Sequence, residues 1–132
     1  MQYNLSGSIT PGREAAFSIK KSRVSFGILN EQDSLPNPAE LLLGAFAACC
    51  LKNVHRFSEL LGFDYESARI EVVGDRQEKP TKLVAIRYVI YLSSADEKLN
   101  IELLHKNIRK FGTIYNTLKE VCDVSGKLVL SS

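Results

Sequence analysis

The sequence predicts an α+β protein in which an antiparallel sheet packs against one long central helix. Three observations predict this class. Apolar and polar residues alternate within residues 17–29, and residues 83–92 place a strongly apolar face opposite a mixed one, as strands of a sheet do. Residues 37–61 begin with a helix-capping signal and continue with helical apolar spacing. The resulting order of strands, helix, strands, helix and strand favours helices segregated from an antiparallel sheet.

Two strands are predicted at the start of the chain. Phe17-Ser18-Ile19-Lys20 alternates, and Val24 to Ile28 does so again. Lys20-Lys21-Ser22 is the predicted turn between them. Arg13 stands just ahead of the first strand.

The central helix has clear start and stop signals. Asn37 can serve as its N-cap, Pro38 occupies the first helical position, and Glu40 stands three residues after the cap. We expect the helix to extend to Leu61 and to end at Gly62.

The first half of this helix is apolar on every side. Leu41 to Leu51, with Gly44 counted in, is an apolar run of 11 residues that contains Cys49 and Cys50. It is too short to span a bilayer. Such a helix must be covered on all sides, by its own sheet or by a second subunit. The second half is predicted to be amphipathic, with Lys52, Asn53, His55, Arg56, Ser58 and Glu59 opposite Val54, Phe57, Leu60 and Leu61.

The remaining elements complete the predicted fold. Strands at Ala68–Gly74 and Leu83–Leu92 flank a turn-rich segment, Asp75–Lys82. Helical spacing then extends over Glu97–Leu118, and a short strand at Lys127–Leu130 follows.

Composition narrows the function classes. The chain has 132 residues, 45% of them hydrophobic and 24% charged, which suits one soluble domain over residues 1–132. A net charge of +2 argues against a nucleic-acid partner. Without an N-terminal signal or a membrane-spanning run, we expect a cytoplasmic protein with no membrane partner.

No cofactor or metal is predicted. His55 and His105 are not at metal-ligand spacing with each other or with the cysteines, and no glycine motif for phosphate binding is present. Three cysteines, two of them adjacent, do not form a disulfide framework. Taken alone, Cys49 is more typical of an inert core thiol than of a nucleophile.

The central helix motif resembles that of a known family. Pro38-Ala39-Glu40-Leu41-Leu42-Leu43, followed by Cys49 eleven positions after the proline, resembles the OsmC-like family of osmotically inducible and organic hydroperoxide resistance proteins. Further segments resemble its less characterised branch: Arg69–Arg76, Ile86–Ile90 and Ile114–Leu118. The resemblance extends roughly from Phe17 to Leu130.

The resemblance implies a cysteine-dependent peroxidase that reduces organic hydroperoxides or hydrogen peroxide in oxidative-stress defence. It also implies an intertwined homodimer with active sites at the subunit interface. In such proteins a thiolate attacks the peroxide and becomes a sulfenic acid, which a second cysteine captures as a disulfide. Carried over by position, Cys49 is the peroxide-attacking residue.

The second family cysteine has no clear counterpart. Cys122-Asp123-Val124-Ser125 superficially resembles the segment around it, but Phe111–Leu118 fits the family pattern better and places Gly112 at the cysteine's position. Cys122 therefore stays a possible resolving residue, beside Cys50 and an external thiol reductant. Adjacent cysteines in one helix point about 100° apart and rarely form a disulfide.

Activation of Cys49 requires a positive charge. The pKa of a thiol is normally about 8.5 and rises on apolar burial, so a buried nucleophile needs a cation nearby. The resemblance implies an arginine from the N-terminal strands, Arg13 or alternatively Arg23, held by an acidic residue, Glu40. Glu40 precedes Cys49 by nine residues, about 13–14 Å along the helix and on its opposite side, so it would act from a partner subunit. A capping role for Glu40 is the alternative.

A non-catalytic function is the second hypothesis. A dimeric protein that keeps the fold and binds an apolar small molecule at its subunit interface would need no reactive Cys49.

Overall fold

The computed structural model describes residues 1–29 and 34–131, which form two three-stranded sheets and three α-helices. The predicted α+β class is confirmed. The chain divides into two compact units, Met1–Leu42 and Leu43–Ser132. That residues 1–132 act as a single domain stays a prediction.

The first unit contains an antiparallel sheet in the order β1-β2-β3. Its strands are β1 (Ser6–Ile9), β2 (Ala15–Ile19) and β3 (Ser22–Phe26). The predicted pair of strands and the turn between them are confirmed, and Lys20 takes a positive φ of 52° in that turn. Strand β1 was not predicted, because its four residues are all exposed and show no burial pattern.

The central helix α1 (Pro38–Leu61) has the predicted bounds. The Asn37 side chain accepts a hydrogen bond from the Glu40 backbone N–H at 2.8 Å, and Glu40 Oε1 accepts one from the Asn37 N–H at 3.1 Å. This reciprocal pair is a capping box, which satisfies two N–H groups that have no partner within the helix. At the other end Gly62 adopts φ +72°, the left-handed conformation that terminates helices.

The burial of α1 differs from its predicted pattern. In its second half, Asn53 and Ser58 are buried, whereas Leu60 is 65% exposed. The predicted amphipathic division was therefore wrong at these positions. In the first half, Gly44, Ala45, Ala48 and Leu42 are exposed.

The second unit contains a mixed sheet in the order β4-β5-β6. Its strands are β4 (Ser67–Glu78), β5 (Thr81–Ser93) and β6 (Asp123–Leu130). β4 and β5 form a long antiparallel hairpin, so most of the predicted turn 75–82 is strand instead. β6 pairs parallel to β5, contrary to the antiparallel expectation. The helices between β5 and β6 form a crossover, which is the connection that parallel neighbours require.

The predicted helix at Glu97–Leu118 is two helices. Asn100 caps α2 (Ile101–Phe111) by accepting the Leu103 N–H at 3.1 Å, so the helix begins later than predicted. Gly112 is extended, with ψ 123°, and separates α2 from α3 (Thr113–Lys119). No helix in residues 1–29 and 34–131 has both the length and the hydropathy needed to cross a membrane.

The core of the second unit lies between its sheet and the helices. Side chains of α1, α2 and α3 pack there against β5 and β6. The fully buried members are Phe46, Cys50, Val54, Ile86, Ile90, Leu92, Leu104 and Ile108.

A polar cluster is embedded in the side of this core. The Tyr88 hydroxyl lies 2.6 Å from His105 Nε2 and 3.3 Å from the Tyr115 hydroxyl. Phe46 packs against both tyrosine rings with centroids 5.5 Å away. Opposite Tyr88 on β6 stands Gly126, where a Cβ would lie 2.5 Å from the tyrosine ring.

The substitution Gly126→Ala is expected to lower the free energy of unfolding by about 1–3 kcal/mol. The buried Tyr88 ring is held by its hydrogen bonds and by Phe46, so it cannot move aside for a methyl group. Denaturant unfolding measures the effect. Ser125→Ala at the neighbouring exposed position is the control, and equal stability of the two variants would contradict this account.

Candidate functional site around Cys49

The two adjacent thiols of α1 lie in different environments. Cys49 is partly exposed, whereas Cys50 is fully buried in the core. Burial, and to a smaller extent the neighbouring Cys49, raises the pKa of the Cys50 thiol to about 12. At neutral pH Cys50 therefore stays a protonated, unreactive thiol. The difference follows from helix geometry, which turns consecutive residues about 100° apart.

The backbone of Gly112 lies directly against Cys49. A Cβ at position 112 would be 3.0 Å from Cys49 Sγ, 3.2 Å from Asn53 Nδ2 and 3.1 Å from the Cβ of Tyr115. Gly112 is buried, and its φ of −75° is one that any residue adopts. A glycine at this position therefore allows the backbone to pack closely on α1, and no unusual φ requires it.

Asn53 borders the same thiol from one helical turn further along α1. It is 7% exposed, and its Nδ2 lies 3.9 Å from Cys49 Sγ, at the long limit for a hydrogen bond to sulfur. Asn53 was not predicted as a site residue, because a polar side chain at this position was expected on the solvent face of α1. Its spacing of four from Cys49 was the available signal.

Cys122 lies in the turn between α3 and β6. Its Sγ donates to the Leu83 carbonyl oxygen at 3.4 Å, and the residue packs at the edge of the core. Cys49, Cys50 and Cys122 all carry free thiols in this structure.

The predicted activating residues lie in the first unit. Arg13 is exposed, and its backbone N–H donates to the Thr10 carbonyl at 2.9 Å. Arg23 forms an ion pair with Glu14 at 3.5 Å. Hydrogen bonding from Ser25, and then from Arg23, lowers the pKa of Glu14. Arg23, on β3, thus has an acidic partner in the residue that directly precedes β2.

Glu40 forms the capping box described above, and its side chain is exposed. The capping role, which was the alternative for Glu40, is therefore present in the structure. The roles of Arg13 and Glu40 in activating Cys49 stay predictions.

Two further titratable groups lie in the polar cluster, the buried Tyr88 beside Phe46 and the half-buried His105 beside Tyr88. Burial, followed by the hydrogen bond with Tyr115, raises the pKa of Tyr88. Burial, and then the nearby Arg109, lowers the pKa of His105. Both side chains are accordingly neutral at neutral pH, which suits a hydrogen-bonded cluster at the edge of a core.

Comparison with known proteins gives the family. The sequence model of the OsmC-like protein family matches residues 31–126, most of the chain. The chain belongs to the OsmC-like family. No curated protein matches the sequence.

Solved structures share the OsmC-like fold at low identity. An OsmC-like protein from Mycoplasma pneumoniae has a TM-score of 0.88 and 14% identity, with 100% of this chain and 99% of that chain covered. An organic hydroperoxide resistance protein OsmC from Legionella pneumophila has a TM-score of 0.69 and 16% identity, with 100% and 99% covered. The organic hydroperoxide resistance protein OhrB of Bacillus subtilis has a TM-score of 0.67 and 15% identity, with 98% of each chain covered.

In this OsmC-like protein, Gly112→Cys is expected to form a disulfide with Cys49 under mild oxidation. The distance of 3.0 Å from the Cβ position to Cys49 Sγ matches the separation of about 3 Å between a Cβ and the far sulfur of a disulfide. Non-reducing peptide mapping measures the bond. Thr113→Cys, at the next and exposed position, is the matched control and should leave Cys49 free. Equal cross-linking in both variants would contradict the placement of Gly112.

Proposed function

We propose that the protein is a cysteine-dependent peroxidase that reduces organic hydroperoxides, or hydrogen peroxide, with Cys49 as the nucleophile. The observation that carries the proposal is the contrast between the two thiols of α1. The thiol at the family motif position is partly exposed, and its neighbour is buried and held protonated. Membership of a family that includes organic hydroperoxide resistance proteins supports a role in peroxide stress.

The proposed reaction transfers one oxygen atom to Cys49. The thiolate attacks a peroxide oxygen, so that an S–O bond forms as the O–O bond breaks. The leaving alkoxide takes a proton and departs as an alcohol, or as water when the substrate is hydrogen peroxide. Cys49 is then a sulfenic acid and the peroxide has been reduced by two electrons.

An external thiol is the proposed reductant of the sulfenic acid. The residue packed against Cys49 Sγ is Gly112, which has no thiol. The Cys122 thiol donates a hydrogen bond to the Leu83 carbonyl oxygen instead. A first external thiol would displace water and form a mixed disulfide with Cys49. A second would release the disulfide of the reductant and restore Cys49.

A cation near the sulfur completes the proposed mechanism. Arg13 is the preferred candidate because Arg23 already pairs with Glu14. In the proposed arrangement Arg13 stabilises the Cys49 thiolate by charge attraction. Glu40 would hold the arginine from the partner subunit, in addition to its capping role.

We also propose that the active form is a homodimer in which α1 is covered by a second subunit. Gly44, Ala45 and Ala48 are exposed on the first half of α1 although none carries a polar side chain. Small apolar residues on a helix allow a second element to approach closely, and covering them removes apolar surface from water.

Peroxide consumption tests the role of Cys49. With cumene hydroperoxide and dithiothreitol as the probes, the unmodified protein should consume peroxide. Cys49→Ser should reduce the rate to the uncatalysed background because a hydroxyl is a far weaker nucleophile than a thiolate. Dimedone labelling followed by peptide mass spectrometry should place the sulfenic acid on Cys49.

Two further variants separate the roles of the other thiols. Cys50→Ala and Cys122→Ser should retain the activity and the label on Cys49. Loss of turnover in Cys122→Ser would identify Cys122 as the resolving residue and refute recycling by an external thiol alone. No peroxide consumption with any of several thiol donors would refute the peroxidase and favour the binding of an apolar small molecule instead.

A charged substitution on the exposed part of α1 tests the proposed dimer. Sedimentation velocity at micromolar concentration should give twice the mass of the chain for the unmodified protein. Ala45→Glu should shift the population towards monomer, because association would bury an unpaired carboxylate. Thr117→Glu at an exposed position of α3 is the matched control. A monomeric unmodified protein would refute the proposed assembly.

A further inference from the structure

Asn53 carries a buried amide whose hydrogen bond goes to the candidate nucleophile. The residue is 7% exposed, and its Nδ2 lies 3.9 Å from Cys49 Sγ. Within the part of the chain that the structure describes, this side chain has no other hydrogen-bond partner. Asn53 is thus a buried polar group that depends on the thiol.

A neutral thiol is a poor partner for such a group. Burial of an amide costs free energy of folding unless a good hydrogen bond compensates, and sulfur in a thiol is a weak acceptor. Ser58, the other buried polar residue of α1, shows the contrast, since its hydroxyl donates to the His55 carbonyl at 2.6 Å.

Negative charge on the sulfur changes this balance. Hydrogen bonds to an ionised acceptor are shorter and about twice as strong as those between neutral groups. Cys49 lies in the fourth turn of α1, where the dipole of the helix N-terminus contributes little. An N–H donor beside the sulfur would therefore matter most in the thiolate form.

Gly112 keeps the amide and the sulfur together. A Cβ at this position would lie 3.0 Å from Cys49 Sγ and 3.2 Å from Asn53 Nδ2, so a side chain there would press on both groups. The bare glycine backbone instead covers the pair.

We propose that Asn53 is a positioning residue for Cys49, with a side-chain amide that donates a hydrogen bond to Sγ and favours the thiolate. The inference rests on the proposed function in one respect, that the thiolate is the peroxide-attacking species. It assigns to Asn53 part of the stabilisation that the peroxidase proposal otherwise leaves to an arginine.

The test is the pH dependence of Cys49 alkylation by iodoacetamide, followed by peptide mass spectrometry. Asn53→Leu removes the donor at similar volume. Its alkylation midpoint should rise by about one pH unit, which corresponds to a rate about tenfold lower at pH 7. Asn53→Asp keeps the shape and adds a negative charge, so its midpoint should rise further.

Ser58→Ala is the matched control, because it removes the other buried polar group of α1 without touching Cys49. Its alkylation profile should superimpose on that of the unmodified protein. Circular dichroism checks that each variant is folded, and Asn53→Ala, which removes the donor without adding a charge, decides the result if Asn53→Leu does not fold. Profiles of the folded variants at position 53 that superimpose on the unmodified one would overturn the proposal.

The experiment separates this inference from the peroxidase proposal because alkylation needs no peroxide. Shifted profiles without any peroxide consumption would refute the peroxidase and retain the role of Asn53. Peroxide consumption with unshifted profiles would refute the role of Asn53 alone.

Discussion

The close approach of the α2–α3 junction to α1 is the contact on which the candidate site depends. It brings the backbone of Gly112 against Cys49 and Asn53, which stand one turn apart on the same helix face. The absence of a side chain on a glycine has two consequences at this position. It allows the junction to pack directly on the thiol, and it leaves that position without a second sulfur. Gly112 thus determines how the junction packs on Cys49 and, in the proposed mechanism, leaves the reduction of Cys49 to another thiol.

Cys49 and Cys50 differ in burial because consecutive residues of α1 point in directions about 100° apart. Cys50 points into the core, where apolar surroundings penalise the thiolate, and its pKa rises to about 12. Cys49 points to the boundary of the core, beside the one buried amide of this helix that lacks a strong neutral partner. The proposed nucleophile is therefore the residue of the pair that lies at the edge of the core.

Much of the fold followed from local signals. The bounds of α1 were predictable because Asn37, Glu40 and Gly62 act through backbone hydrogen bonds and φ angles within a few residues of themselves. The parallel pairing of β6 was not predictable in this way. The direction of a strand depends on how the connection before it crosses the sheet, and the alternation of apolar residues within the strand does not report that. The buried position of Asn53 was missed for a similar reason, since a polar residue is assigned to solvent unless a distant element is known to cover it.

The sequence by itself determined the class of the fold, the family and the cysteine that carries its motif. These properties are encoded in periodicity, caps and spacing, which are local. Only the tertiary structure decided which polar group faces Cys49, and that Gly112 touches its sulfur. Those contacts join residues separated by up to 63 positions between Cys49 and Gly112. Their distances are set by how the helices pack, which no local pattern specifies.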